Sequence, residues 1–195
     1  AVSSYPDRNF KYQGTIISNG DIGLNGRRLE DQVAITGNNH GGIEKIGDQW
    51  FIFYHRHTQG HQFSRQACAE PIFFDTEGRI KQVEITTQGL NAKPLLPHGS
   101  ISAAYCCNLI NSKIPALVWK KPTYDYPYIT NEKELHYVTN ISDDTVISFK
   151  YFIIDEQIRI RIRYRGDAEG FLSLSLDKSE EDYFLSIKKT ADWIY

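Results

Sequence analysis

ITGNNHGGIEKIGDQWFIFYHRHTQGHQFSRQACAEPI, residues 35–72, is the stretch on which the fold turns. Four of the six histidines fall inside it, with Trp50 and the aromatic run that ends at Tyr54. Gly37, Asn38 and Asn39 tolerate the left-handed backbone region that a turn demands. His40 heads the strand that follows. Gly41 and Gly42, two residues without a Cβ, mark a place where another backbone or a ligand comes close. The turn Gly47-Asp48 leads from Ile43-Glu44-Lys45-Ile46 into Trp50, Phe51, Ile52, Phe53 and Tyr54, and the two runs read as a β-hairpin. A second turn around Gln59-Gly60 opens a third strand over 62–70, where Phe63, Arg65, Ala67 and Ala69 alternate with Ser64, Gln66 and Cys68.

Upstream, residues 1–14 read as strand, Pro6-Asp7 turn, strand. Ser18, Asn19, Gly20 and Asp21 form a small polar loop that suits a site rim or a plain surface turn, and 25–32 reads as a solvated loop. Downstream, Asp75 to Gly78 is a hairpin turn, after which Lys81, Val83 and Ile85 alternate with Ile80, Gln82 and Glu84. Pro94, Pro97, Gly89 and Gly99 mark a linker over 89–99, with a domain boundary near residue 97. Beyond it, short turn-separated strands are expected over 101–110, 116–120, 135–141, 145–152, 157–164, 170–176 and 183–188, the spacing of an antiparallel β-sandwich. Ile158, Ile160, Ile162 and Tyr164 alternate with Arg159, Arg161, Arg163 and Arg165. The four guanidinium groups read as a solvated face paired with Asp143, Asp144, Asp155 and Glu156, against the alternative of a binding stripe.

The 195 residues are 41% hydrophobic with a net charge of −2, enough for one large or two small cores. Basic residues are scattered outside the arginine set, so no nucleic-acid footprint is visible. No apolar run is long enough to span a bilayer and no signal-peptide pattern is present, so no membrane partner is expected. The three cysteines make no disulfide framework: Cys106 and Cys107 are adjacent and Cys68 is far from them, so all three read as buried thiols.

In this order, N-N-H-G-G, G-D-Q-W-F-I-F-Y-H-R, S-R-Q-A-C-A-E-P-I and the strand-turn-strand ending Q-V-E-I-T resemble the last two blades of a glycoside hydrolase family 43 five-bladed β-propeller. S-S-Y-P-D-R-N-F-K-Y-Q-G-T-I-I-S-N-G-D-I-G is similar to the segment entering that family's fourth blade, and Gly42 stands where Ser is common there. The segments H-Y-V-T-N-I-S-D-D-T-V-I-S-F-K-Y-F and I-R-I-R-I-R-Y-R-G-D-A-E-G look like a family 6 carbohydrate-binding jelly roll. The resemblance implies an all-β chain: late propeller blades over 1–97, then an antiparallel β-sandwich (jelly roll) over 98–195. A complete five-bladed propeller takes on the order of 300 residues. The opening blades are therefore expected before Ala1, and the absence of any Met suits a cut or processed chain.

Such an enzyme hydrolyses α-L-arabinofuranosyl or β-D-xylosyl linkages of plant polysaccharide by an inverting route, with two carboxyl groups flanking the bond. The family carries its Asp base, its second Asp and its Glu acid on the first three blades, so the resemblance implies no catalytic residue in this chain and no activity for it alone. What it does place here is His40, at the propeller axis near a water on a bound calcium, and Arg65, which contacts sugar. Asn39 of the same N-N-H-G-G motif joins them as a site-supporting residue.

A neutral imidazole donates from one nitrogen and accepts at the other, and a guanidinium offers forked donors to hydroxyls. The bland alternatives are a histidine satisfied in a blade core and an arginine in a strand-end salt bridge. His55, Arg56, His57 and His61 crowd one loop, with 55 and 57 on one side of the strand, but no Cys or carboxylate completes a metal site. Asp21 and Glu70 are the carboxylates nearest in sequence to these motifs.

The implied partners are arabinose- or xylose-containing glycans, with a companion chain or self-association covering the unpaired blade edges. The implied cofactor is at most a structural calcium, and the substrate class suggests a secreted or cell-surface setting, or else the cytoplasm. The alternatives are a non-catalytic carbohydrate-binding protein and a structural β-protein whose His40 and Arg65 point into packed cores.

Overall fold

A computed structural model describes residues 1–116, 124–155, 157–176 and 182–195. They divide into two compact units, Ala1–Ile154 and Asp155–Tyr195. The boundary expected near residue 97 falls inside the first of them. Hydrogen bonds explain why: Leu109 N–H donates to the Val33 carbonyl at 2.9 Å, Ile129 N–H to that of Thr58 at 2.8 Å, and Leu95 N–H to that of Tyr151 at 2.8 Å. Residues 98–154 are thereby laced onto 1–97.

In the first unit, β1 (Gly42–Ile46), β2 (Gln49–Arg56) and β3 (Gln66–Ile72) make a three-stranded antiparallel meander. Ile46 faces Gln49 across the two-residue turn, with Gly47 at φ +60° as a hairpin turn of this length requires. In β2 and β3, Ile52 lies opposite Glu70 and Trp50 opposite Ile72, while Phe53 faces Ala69 and His55 faces Ala67. Directly opposed residues share a face. One face therefore carries Ile52, Tyr54, Glu70 and Ile72, and it closes a core with Val83, Ile85 and Cys107, backed by Ile16, Ile17 and Ile80. Each large side chain buried there contributes about 1.5–3 kcal/mol. The segment expected as a strand over 80–86 sends Val83 and Ile85 inward as the alternation requires, but only isolated bridges hold it, Ile80 to Phe74 and Val83 to Ile17.

The second core of this unit joins Ala104, Cys106, Leu109 and Ile129. Here β4 (Asn108–Ile110) pairs with β7 (Val146–Ser148), and β5 (Tyr128–Glu132) with β6 (Leu135–Thr139), all antiparallel. The strand expected over 101–110 is broken because the Ser102 hydroxyl accepts the Ala104 N–H at 3.2 Å and starts a 3₁₀ turn, Ala103–Tyr105, before β4. The strand expected over 116–120 lies, beyond Ala116, outside the described residues.

In the second unit, β8 (Tyr164–Gly166) pairs with β11 (Thr190–Ile194), and β9 (Gly170–Ser175) with β10 (Asp182–Ile187). Of the strand expected over 157–164, only Tyr164 enters a ladder among the described residues. The described residues are thus all-β, without an α-helix, in one three-stranded and four two-stranded antiparallel sheets. No four-stranded blade forms among them, and no helix is long and apolar enough to cross a membrane.

Candidate functional site

The register of the first hairpin builds the site. Gly42 lies opposite Phe53, so two residues earlier His40 comes level with His55, and their ring centroids are 4.5 Å apart, edge to face. His57, two residues beyond His55 on the same side, continues the row at 5.2 Å. The row runs from surface to interior, since His40 is exposed, His55 is buried and His57 is only 1% exposed.

Burial, then the charges of His55, Arg65 and His61, pushes the His57 pKa down to about 4. His57 is therefore neutral at pH 7. Neither of its ring nitrogens has a partner among the described residues. Beside it lies a cavity of about 10 Å³ walled by Arg56, Thr58 and Tyr126, the size of one water.

At the outer end of the row His40 opens on a depression of about 350 Å³. Ile16, Ile17, Ile43 and Ile52 give it an apolar wall, and Asn39, His40 and Tyr54 its polar groups. Asn39 is held from below: its Nδ2 donates to Oδ1 of buried Asn19 at 3.2 Å. The loop expected as a rim or surface turn is in fact interior, because Asn19, Gly20 and Asp21 are all buried and a Cβ on Gly20 would stand 2.9 Å from the Ala34 carbonyl oxygen.

The two glycines divide their roles. A Cβ on Gly41 would lie 1.7 Å from the Phe53 carbonyl oxygen, so backbone meets backbone there, whereas Gly42 faces open space in the depression. Of the three residues expected at the site, His40 and Asn39 share the depression. Arg65, exposed and one position before β3, does not line it, and joins the cluster through its charge on His57.

Asp21 and Glu70 are enclosed and bonded to the fold. Glu70, 2% exposed, accepts the Thr86 N–H at 2.8 Å, the Thr86 hydroxyl at 2.5 Å and the Tyr54 hydroxyl at 3.3 Å. Burial raises its pKa to about 7 against the lowering effect of those bonds. Asp21, fully buried, accepts the Ile85 N–H at 2.9 Å, and burial raises its pKa as well. Glu70 ties the 83–86 segment to β3, and Asp21 ties it to the buried turn over 19–21.

Sequence reasoning passed over Arg56. It sits on the inward face of β2, 5% exposed, and its two terminal nitrogens donate to the Cys106 and Cys107 carbonyls, each at 2.9 Å. The signal was present in its place in the inward alternation Ile52, Tyr54, Arg56. All three thiols are free. Cys106 and Cys107 are fully buried and Cys68 only partly, which corrects the expectation of three buried thiols. Burial pushes the Cys106 pKa up to about 11.

Among the described residues no group of three or more His, Cys, Asp or Glu is placed to hold a metal ion. Calcium takes six to eight oxygen ligands. The described residues around His40 therefore do not make a calcium shell, and no step is routed through one.

The chain is 37% identical over 179 residues to a protein called xylosidase/arabinosidase from Thermoclostridium stercorarium, an alignment covering 87% of this chain and 38% of that protein. The chain thus spans well under half the length of that relative. No protein-family model matches it, and neither does any solved structure. The identity supports a relationship of the glycoside hydrolase type.

Proposed function

We propose that this chain is the carboxyl-side part of a glycoside hydrolase of family 43 type, acting on α-L-arabinofuranosyl or β-D-xylosyl linkages with inversion. In this reading the late propeller blades lie within the first unit, and a carbohydrate-binding-like sandwich, part of a jelly roll, follows them in the chain. The catalytic carboxylates lie outside the chain. Its own contribution is one wall of the sugar pocket: His40 and Asn39 at the mouth of the depression, with Arg65 supplying positive charge behind the histidine row.

The observation that carries this reading is the convergence of His40, Asn39 and the Gly41-Gly42 backbone on one open depression, in a chain related to a xylosidase/arabinosidase. The commitment of Asp21 and Glu70 to buried structural bonds supports the view that the acids come from elsewhere. The calcium implied by the family stays part of this proposal, as an ion that His40 meets only through a water. A secreted or cell-surface setting follows from the substrate class.

The unpaired sheet edges and exposed apolar side chains, among them Phe63, Phe53 and Phe73, favour a companion polypeptide or self-association. The test is turnover of aryl arabinosides and xylosides by this chain alone and by the chain joined to the earlier blades. The lone chain is expected to be inactive, because loss of general acid-base assistance alone removes about 10²- to 10⁴-fold. Robust turnover by the lone chain, abolished in Glu70→Gln or Asp21→Asn, refutes the reading.

A further inference from the structure

In the second unit, β9 and β10 form a hairpin whose two faces differ in kind. Leu172 lies opposite Leu185, Leu174 opposite Tyr183 and Gly170 opposite Ile187, and directly opposed residues share a face. The leucines and Ile187 of that face are half-buried. The other face pairs Phe171 with Ser186, Ser173 with Phe184 and Ser175 with Asp182, and all six are exposed. Alternation thus gives the aliphatic side to a core and the serine side to solvent. Yet the solvent side carries two phenyl rings, Phe171 at 72% and Phe184 at 66% exposure. A single exposed apolar residue is ordinary, whereas two on one small polar face mark a surface with a use. By register Phe171, Ser173, Phe184 and Ser186 stand at the corners of one square, the rings on one diagonal and the hydroxyls on the other.

The size and charge of this face select its occupant. Two six-residue strands present a strip about 20 Å long and about 10 Å wide, on the order of 200 Å². A stable protein contact buries about 800 Å² on each partner, so this strip is too small to hold a second copy or a folded partner by itself. Its one charge is Asp182 at the end, and among the described residues the two strands place no cation on it, so a polyanion finds nothing to pair with. The ligand that fits is uncharged, with apolar C–H faces for the rings and hydroxyls for serines that both donate and accept. A chain of neutral sugar rings has that chemistry at every unit.

We infer that the outer face of this hairpin, Phe171, Ser173, Phe184 and Ser186, binds a neutral glycan chain by stacking its sugar rings on the two phenyl groups. That the ligand is a glycan rests on the function proposed above. The platform itself rests on the register and the exposure of the rings.

The experiment is native affinity electrophoresis of the full chain in gels containing neutral arabinoxylan or polygalacturonate, at low and high salt. Retardation is expected in arabinoxylan, nearly unchanged by salt, with little in polygalacturonate. The double variant Phe171→Thr/Phe184→Thr, which keeps strand-forming residues, is expected to weaken it by on the order of tenfold. Phe171→Tyr/Phe184→Tyr, which keeps both rings, is expected to bind like the wild type. The single variant Phe184→Thr gives the same reading, at smaller size, if the double variant fails to fold.

Equal retardation of the wild type and the threonine variant in arabinoxylan puts the glycan contact elsewhere and overturns the inference. No retardation of the wild type, or stronger and salt-sensitive retardation in polygalacturonate, overturns it too. Self-association in sedimentation that the threonine variant abolishes, without retardation in arabinoxylan, gives the face to a second copy instead. None of these outcomes touches the glycosidase reading, which turnover tests. A chain joined to the earlier blades that is retarded but hydrolyses no glycoside keeps the inference and removes that reading.

Discussion

Glu70→Gln is expected to change the pH dependence of stability in a direction that identifies the buried carboxyl. In the fold Glu70 titrates at about 7 against an ordinary value of 4.5. Between those values the folded protein keeps a proton that the unfolded chain has lost. The stability the neutral carboxyl contributes is therefore complete below about pH 4.5 and declines as the pH rises through 7.

Integrating that difference from pH 5 to pH 8 gives a loss of about 2.5 kcal/mol. His57 works the other way. Its folded pKa of about 4 lies below the ordinary 6.5, so the unfolded chain binds the extra proton, and the wild type gains about 2 kcal/mol over the same interval. The two nearly cancel in the wild type.

Gln at position 70 fits the same space and keeps an acceptor for the Thr86 N–H, but it does not titrate. In urea unfolding at constant ionic strength, the stability of Glu70→Gln relative to wild type is expected to climb by about 2.5 kcal/mol between pH 5 and pH 8. With His57→Gln the relative stability is expected to fall by about 2 kcal/mol instead. A Glu70→Gln difference that stays flat across this range refutes the argument that burial holds the carboxyl neutral.

Gly41→Ala is expected to cost more than about 3 kcal/mol, or to abolish soluble folding, because the new Cβ meets the Phe53 carbonyl oxygen. Gly42→Ala, facing open space, is expected to change the melting temperature little. Arg56→Met is expected to lose about 3–5 kcal/mol, since the Cys106 and Cys107 carbonyls lose a buried charged donor. Arg56→Lys recovers only part, as one ammonium cannot reproduce the fork. A thiol reagent is expected to label at most Cys68 in the native protein, with Cys106 and Cys107 reacting only after denaturant. Rapid labelling of all three contradicts the packing around Arg56.

The hairpin around Gly47-Asp48 was legible because turn chemistry and period-two alternation are local, and both flank it within ten residues. Val83 and Ile85 shared a side by the alternation over 80–86, whereas Ile52 and Tyr54 sit in an unbroken apolar run whose inward face no local pattern marks. What stayed hidden depends on partners far along the chain. Asn19 and Asp21 look like surface-loop residues until Asn39 and the Ile85 N–H are brought to them. Arg56 looks like part of a histidine-rich loop until two carbonyls fifty residues on reach its guanidinium. The proline- and glycine-rich stretch over 89–99 carries the composition of a linker, but Leu95 pairs with Phe152 and exchanges backbone bonds across that bridge. Composition alone does not distinguish a tethered crossing segment from a hinge.

The site residues show the same division. His40 and His55 could be placed side by side from register, since two positions before the Gly42–Phe53 pair is an arithmetical step. Whether Arg65 joins them depends on the nine residues between β2 and β3, where no ladder fixes the count. Arg65 consequently acts on the row through space, lowering the His57 pKa, and stands off the depression that His40 opens on. That arrangement makes the histidine row asymmetric. Its inner end is buried and neutral, and its outer end is exposed and faces an apolar-walled depression. Only the outer imidazole is exposed to hydrogen-bond a ligand, while the inner one packs edge-on against the ring between them. A substitution at His57 should therefore register first in stability, and one at His40 in ligand binding.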